Sequence, residues 1–322
     1  MRYLITGGAG FIGSHLTEHL LARGHQVVVL DNLSTGSRDN LRGASGQPGF
    51  RFVRGSVTDP HAVEACMPGI DAVFHLAAAV GVFTILDKTL ESLRTNLHGT
   101  ENLLDAALRH DVPILVASTS EIYGKNTANG LDEDADRIIG SPLKNRWSYA
   151  EAKALDETFA YLYAVEHGLR TVIVRPFNTV GPRQTGRYGM VIPRFVTQAL
   201  ANEPITVFGD GQQTRCFCHV HDVVPALVAL LSDESAYGRV FNLGSNEQTT
   251  ISQLAERVIA ATGSTSTIAK VPYEQAYGEG YEDMQRRIPD CTRAREQIGF
   301  APTRTLDDII AAVVADRRRE NP

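Results

Sequence analysis

Ser118, Thr119, Ser120 and Glu121 stand in a row, three hydroxyls followed by a carboxylate. Hydroxyls suit a site that orients a sugar or polarises a carbonyl. The acid beside them has a plainer use, as a cap or ion-pair partner at a strand end. Further along, Tyr149 and Lys153 are four residues apart in Trp-Ser-Tyr-Ala-Glu-Ala-Lys. On a helix that spacing puts both side chains on one face, with Cβ atoms about 5–6 Å apart. A tyrosine, with a reference pKa of about 10, is a poor base unless a neighbouring cation stabilises its phenolate. Lys153 would be that cation. An isolated pair of this kind is more often a solvated helix face, so its surroundings decide.

Those residues need a scaffold. Apolar runs at 2–6, 26–31, 50–54, 71–77, 112–118 and 170–175 read as strands, and amphipathic stretches at 12–23, 60–66, 88–110 and 148–167 as helices. Short, continuously apolar strands alternating with helices specify a parallel sheet covered on both faces. Ser118 then ends the fifth strand, and open α/β sheets place ligands at the carboxyl ends of strands. Beyond about residue 176 the pattern changes. Pro176, Gly181, Pro182, Gly186, Gly189 and Pro193 punctuate shorter elements: a helix near 190–202, strands near 205–208 and 214–220, and a helix at 222–232. The expected fold is α/β, a doubly wound parallel Rossmann sheet over 1–176 with a smaller C-terminal α/β substrate lobe over 177–322, some of whose segments return to the sheet.

The first strand runs into Gly7-Gly8-Ala9-Gly10-Phe11-Ile12-Gly13 and then a helix. Glycines at such a junction allow a tight turn and bring backbone N–H groups close to a pyrophosphate. Alone they would only mark a strand end. With a strand before them, a helix after them and Asp31 closing the second strand, they read as a dinucleotide site. Asp31 would accept hydrogen bonds from the adenosine ribose and repel a 2′-phosphate, which selects NAD over NADP; its plainer role is that of a turn residue. Asn32, Ser34 and Thr35 add polar contacts in the same loop. Asp59, before Pro60, fits an adenine contact and a helix N-cap equally well.

The 322 residues suffice for two lobes and a large core. A formal net charge of −6, with no long run of one sign besides Arg317-Arg318-Arg319, excludes a nucleic-acid partner. That triplet reads as the solvated last turn of a helix, where cations suit the dipole. Four cysteines make no disulfide framework. No apolar stretch approaches the roughly 20 residues that span a bilayer, and the opening MRYLITGG reads as a strand rather than a signal peptide. A cytoplasmic protein without membrane attachment is expected. Cys216, Cys218, His219, His221 and Asp222 fall within seven residues and imitate a metal site. Strand alternation sends the cysteines one way and the histidines the other. Two buried thiols are expected there instead of a metal, with Asp222 capping a helix that has Pro225 in its first turn.

Taken together, the glycine motif, Asp31, the HLAA at 75–78, Asn96, the hydroxyl cluster, Tyr149 with Lys153, and the RPFNTVGP at 175–182 resemble the extended short-chain dehydrogenase/reductases that act on nucleotide sugars. The resemblance runs over nearly the whole chain. It implies NAD held by Gly7, Gly10, Phe11, Ile12, Gly13, Asp31, Asn32, Ser34, Thr35 and Gly36 at one end. Val57, Leu76, Ala78, Asn96, Ser118, Pro176, Tyr149 and Lys153 would hold it at the other. It implies that Tyr149 takes a proton from a sugar hydroxyl while hydride leaves C4, and that Thr119 or Ser120 hydrogen-bonds the same oxygen. Lys153 would hold both Tyr149 and the nicotinamide ribose. Asn178, Val207 and Arg215 would bind a UDP-sugar, Arg215 gripping its diphosphate with a planar fork. Helices near 88–110 and 148–167 pair across a two-fold axis in this family, which implies a homodimer.

Within that family the residue after the hydroxyls varies with the chemistry, and STSEIYG at 118–124 is similar to the UDP-glucuronate decarboxylases. So is YGEGYEDMQRRIPD at 277–290, the segment that brings in a catalytic arginine, here Arg287. A surface ion pair or diphosphate contact is the plainer role for that residue. A UDP-hexuronate oxidised at C4 is a β-keto acid, and it loses CO2 through an enolate that hydroxyls and a protonated Tyr149 stabilise. Glu121 would orient the sugar or repel its carboxylate. Arg287 would hold that carboxylate and, through a relayed water, assist protonation at C5. The sequence Tyr149-Ala-Glu-Ala-Lys153 departs from the Tyr-Asp-Glu-Gly-Lys common among UDP-xylose-forming members, which leaves UDP-4-keto-pentose and UDP-xylose both open as products. The alternative is a UDP-sugar 4-epimerase acting on UDP-glucose or UDP-glucuronate, which needs no decarboxylating acid. A third reading, from another class, is an NAD-dependent regulator without turnover.

Overall fold

The computed structural model describes residues 1–79, 89–186, 190–277, 282 and 284–320. Residue 88 of the expected helix 88–110, Gly189, and residues 278–281 and 283 of the arginine-bearing segment lie outside the described residues.

Six strands follow one another with helices between them: β1 (Arg2–Thr6), β2 (Gln26–Asp31), β3 (Phe50–Arg54), β4 (Ala72–His75), β5 (Ile114–Ala117) and β6 (Thr171–Pro176). The helices are α1 (Phe11–Leu21), α2 (Pro60–Glu64), α3 (Thr89–Arg109) and α4 (Ser148–His167). The chain then builds a second lobe from β7 (Thr179–Val180), α5 (Val191–Leu200), β8 (Ile205–Phe208), β9 (Thr214–Cys216) and β10 (Cys218–His219). It returns through α6 (Val220–Ser232) to β11 (Arg239–Leu243). The lobe is completed by β12 (Gln248–Thr250), α7 (Ile251–Thr262), β13 (Ile268–Val271), α8 (Tyr273–Tyr277), β14 (Arg286–Arg287), α9 (Thr292–Ile298) and α10 (Leu306–Glu320).

The seven-stranded sheet runs in the order β11-β6-β5-β4-β1-β2-β3, and every pairing in it is parallel. Continuous apolar strands suit this arrangement because alternate residues feed opposite faces. Ile5, Val27 and Val29 join a core under Leu16, Leu20, Val223 and Leu227 of α1 and α6. Leu4, Val28 and Leu30 join a core under Leu103 and Leu104 of α3 and Ala160 of α4. The second lobe has its own core, in which Ile192, Phe195, Leu254, Val258, Ile309 and Val313 meet. Strand order reverses between β1 and β4. In doubly wound sheets the crevice that binds ligands opens at that reversal.

Residues 239–243 therefore belong to the sheet, so the second lobe is interrupted in sequence. The expected strand 214–220 is two, because β9 pairs with β12 and β14 whereas β10 pairs with β7. The helix expected at 222–232 begins at Val220. Its cap is His219, whose Nδ1 accepts from the His221 N–H at 3.0 Å. Asp222 instead lies in the first turn and binds Thr303 and Arg304, and Pro225 lies a turn further in than expected. Among the described residues no helix is long and apolar enough to cross a membrane.

Candidate active site

A cleft of about 880 Å³ opens over the strand reversal, walled by the ends of β1, β4 and β5 on one side and by the second lobe on the other. Its nucleotide half is shaped by backbone. Gly7 has φ of 70°, and a Cβ there would sit 2.8 Å from the Ala77 nitrogen. A Cβ on Gly13 would sit 2.3 Å from the Gly7 carbonyl oxygen. Glycine is the one residue these positions accept, and the turn they form leaves the N-terminus of α1 open to the cleft. Gly10, Phe11 and Ile12 line it, followed by Asn32, Ser34 and Thr35.

Asp31 ends β2 with Oδ2 accepting from the Ala9 N–H at 2.9 Å and Oδ1 from the Leu33 N–H at 2.7 Å. Burial raises its pKa against those two bonds. Val57, Leu76, Ala78 and Pro176 line the deeper wall. There Ser118 Oγ is buried without a hydrogen-bond partner among the described residues. A glycine cradle, a carboxylate at the end of β2 and an orphaned hydroxyl fit a dinucleotide.

Three expected cofactor contacts do not line the wall, Gly36, Asn96 and Lys153, and the first two serve the backbone. Gly36 packs on the glycine turn, where a Cβ would meet the Ala9 carbonyl carbon at 2.8 Å. Asn96 is buried and accepts from the Ala79 N–H at 2.8 Å, so it fixes the chain after β4. Both act on loop shape. Asp59 is the N-cap of α2, accepting from the His61 N–H at 2.9 Å.

The other half gathers the side chains with chemistry. Thr119 Oγ1 accepts from the Glu121 N–H at 3.2 Å and starts the 3-10 turn Ser120–Tyr123, which carries Glu121 to the cleft. Thr119 and Ser120 line the same wall. Tyr149, in the first turn of α4, is 8% exposed and faces them. Burial, then the negative charges of Glu121 and Asp156, push its pKa well up. Lys153 lies one turn on and is 2% exposed, but its Nζ donates to Asp156 Oδ2 at 2.7 Å. It is absent from the cleft wall. Asp156 is fully buried and demands a cation. The lysine expected to stabilise the Tyr149 phenolate is thus held first by its own helix.

Glu121 is bracketed by arginines. Its Oε2 accepts from Arg146 Nη1 at 2.7 Å, and its Oε1 lies 3.9 Å from Arg287 Nη1. Burial pushes its pKa up, but Arg146, Arg287 and Arg215 more than offset that and hold it below the usual value. Arg287 reaches the site because β14 pairs in parallel with β9, in a register that sets Arg287 beside Arg215. Its Nη2 donates to Asn178 Oδ1. Asn178 has φ of 34°, a conformation that costs a non-glycine residue about 1–3 kcal/mol and collects at functional sites. Its Nδ2 donates to the Cys216 carbonyl at 2.7 Å. Arg215 and Asn178 both line the cleft.

Val207 does not. It is fully buried in the lobe core, because alternation along β8 points Ile205 and Val207 inward and turns Phe208 to the cleft. Tyr273 and Tyr277, with ring centroids 6.3 Å apart, extend that wall, and Arg194 lies 4.1 Å over the Phe208 ring.

Sequence reasoning missed Arg146, on the 3-10 turn Asn145–Trp147 ahead of α4. A carboxylate at the depth of Glu121 must be paired. That signal asks for a cation without saying which. Cys216 and Cys218 are buried free thiols. Among the described residues no group of His, Cys, Asp and Glu is arranged to hold a metal.

Residues 3–244 match the profile described as NAD dependent epimerase/dehydratase family. The chain is 43% identical to a UDP-N-acetyl-alpha-D-glucosaminuronate decarboxylase of Bacillus cytotoxicus, over 94% of this chain and 92% of the other. It is 36% identical to UDP-glucuronic acid decarboxylase 1 of Danio rerio, over 95% of this chain and 70% of the other. Among solved structures it is similar to UDP-glucuronic acid 4-epimerase from Bacillus cereus in complex with UDP-glucuronic acid and NAD. That likeness has a TM-score of 0.89 and 28% identity, covering 99% of this chain and 100% of that one.

Proposed function

This chain belongs to the NAD dependent epimerase/dehydratase family, and within it we propose that it binds NAD and decarboxylates UDP-glucuronate. The observation that carries the reading is Glu121, an acid set among the hydroxyls and Tyr149 and bracketed by Arg146 and Arg287. A simple epimerisation at C4 has no use for that group. The names of the curated relatives point the same way.

When bound, NAD supplies the oxidation at C4. Tyr149 would take the C4 hydroxyl proton as its phenolate. Burial, Glu121 and Asp156 oppose that form in the chain alone, and Lys153 and the positive charge of bound NAD would favour it. Thr119 and Ser120 would hold the oxygen as it becomes a carbonyl. The product is a β-keto acid whose carboxylate rests against Arg287. Cleavage of the C5–C6 bond releases CO2 and leaves its electron pair in an enolate across C4 and C5. The Tyr149 O–H and the hydroxyl cluster stabilise the enolate oxygen, preorganised donors of the kind worth about 2.7–4 kcal/mol each in acyl transfer. A proton relayed past Arg287 then returns to C5. Arg215 and Asn178 hold the diphosphate and the sugar.

The test is incubation with UDP-glucuronate and NAD+, with UDP-N-acetylglucosaminuronate run in parallel. One CO2 per sugar, with loss of a negative charge on anion exchange, is expected from one or both. Isomerisation without CO2 would make the protein an epimerase. Accumulating NADH identifies the 4-keto-pentose as the released product, and its return to NAD+ identifies UDP-xylose. A homodimer through α3 and α4 is part of the same reading, supported by the exposed Leu155, Tyr161, Leu162 and Val165 on α4. Four free thiols suit a cytoplasmic setting.

A further inference from the structure

A uronate substrate brings a second carboxylate into a cleft that already holds Glu121. Two guanidinium groups face that position from different elements, Arg287 from β14 and Arg146 from the turn before α4. Arg146 is the closer partner of Glu121, at 2.7 Å against 3.9 Å. It is also fixed from behind. Its guanidinium carbon lies 5.2 Å over the ring of Trp147, which is fully buried. Trp147 Nε1 donates to Glu282 at 2.9 Å, and Glu282 pairs with Lys125 at 2.6 Å and with Lys144. A planar fork held this way loses little freedom in binding a carboxylate. Arg215 from β9 and Tyr149 from α4 also bear on Glu121.

We propose that Arg146 is a positioning residue that neutralises and orients Glu121, leaving Arg287 for the carboxylate of the substrate. The proposal rests on the uronate decarboxylase reading above. Its logic is a count of charges: two carboxylates need two guanidinium groups, and one shared between them serves neither well. Without Arg146, Arg287 is drawn the remaining distance to Glu121, since removing one partner of a buried pair strands the other charge. The substrate then loses its cation, and with the charge of Arg146 gone, burial acts to raise the pKa of Glu121.

The experiment compares Arg146→Gln, Arg146→Lys, Glu121→Gln and the double variant Arg146→Gln/Glu121→Gln. It measures CO2 release across pH, KM for UDP-glucuronate, inhibition by UDP (which carries no carboxylate) and NAD binding. Arg146→Gln is expected to raise KM for the uronate about tenfold and to move the acid limb of kcat up by about one pH unit, a tenfold loss on its acid side. UDP inhibition and NAD binding stay as in the wild type. Arg146→Lys shows a smaller change of the same kind. In the Glu121→Gln background, where no carboxylate draws Arg287 away, the Arg146 change leaves UDP-glucuronate affinity in a binding titration unaltered, because the two act as one unit. A native KM and native acid limb in Arg146→Gln overturn the proposal, as does an equal loss of UDP affinity, which marks a scaffold residue. Should Arg146→Gln fail to hold NAD, Arg146→Lys decides: a KM rise confined to the uronate supports the proposal, and a rise shared by UDP, or none, overturns it. Absence of CO2 from wild-type enzyme with either uronate overturns the parent reading and this one with it, and is told apart by the wild type alone.

Discussion

Tyr149 is the residue on which the proposed oxidation turns, and its hydroxyl is held protonated by burial and by two nearby carboxylates. Tyr149→Phe is expected to lower kcat about 10²–10⁴-fold, the usual worth of general acid–base catalysis, with NAD affinity retained in a binding titration. Glu121→Gln is expected to abolish CO2 release while NAD still binds; retained decarboxylation would remove Glu121 from the chemistry. Tyr149 and Lys153 were legible in the sequence because their relation is local, one helical turn. The partner of Lys153 was equally local, yet Asp156 became decisive only once it was known to be fully buried. Arg146 was not legible, since its meaning lies in a contact with Glu121 across separate elements. Val207 was misplaced because alternation in a short strand has two phases, and packing of the lobe core selects between them.

At the level of elements, the β1–α1 turn is the most constrained piece of the molecule. Gly7→Ala places a methyl group 2.8 Å from backbone at a left-handed φ. The variant is expected to lose NAD binding and about 1–3 kcal/mol of stability, from the strain alone, as measured by chemical denaturation. Long or strongly patterned elements were read from sequence nearly to the residue. β1, β2, β3, β8 and α4 fall where apolar runs and helical periodicity put them. The misreadings fall where hydrogen-bonding partners decide. β9 and β10 part because different strands claim them, and α6 starts early because a histidine ring caps it. Nothing in CFCHVHD announces either.

For the whole molecule, His15 of α1 and His221 of α6 lie 3.3 Å apart, with His15 Nε2 also 3.0 Å from the Pro182 carbonyl oxygen. Burial, foremost, pushes His15 down to about 4, and His219 beside it likewise to about 4. The native state thus holds neutral imidazoles that the unfolded chain would protonate near its reference value. Their stabilising effect is present above about pH 6.5 and drains away as pH falls toward 4, at up to about 1.4 kcal/mol per unit per histidine. Melting temperature recorded against pH is expected to fall through that window, and less steeply in His15→Gln. Val165 is 63% exposed on α4. Val165→Glu is expected to turn the proposed dimer into a monomer in light scattering; a wild-type monomer would remove the dimer from the reading, and a variant that stays dimeric would place the interface elsewhere.

The short pairing of β14 with β9 has a consequence in time. Arg287 arrives from near the end of the chain, so a ribosome has released the glycine turn, the hydroxyl cluster and the tyrosine helix well before it makes the arginine. A growing polypeptide that has released those elements still lacks one half of the guanidinium bracket around Glu121. In the proposed mechanism, Arg287 is thus made after every other group assigned to the site.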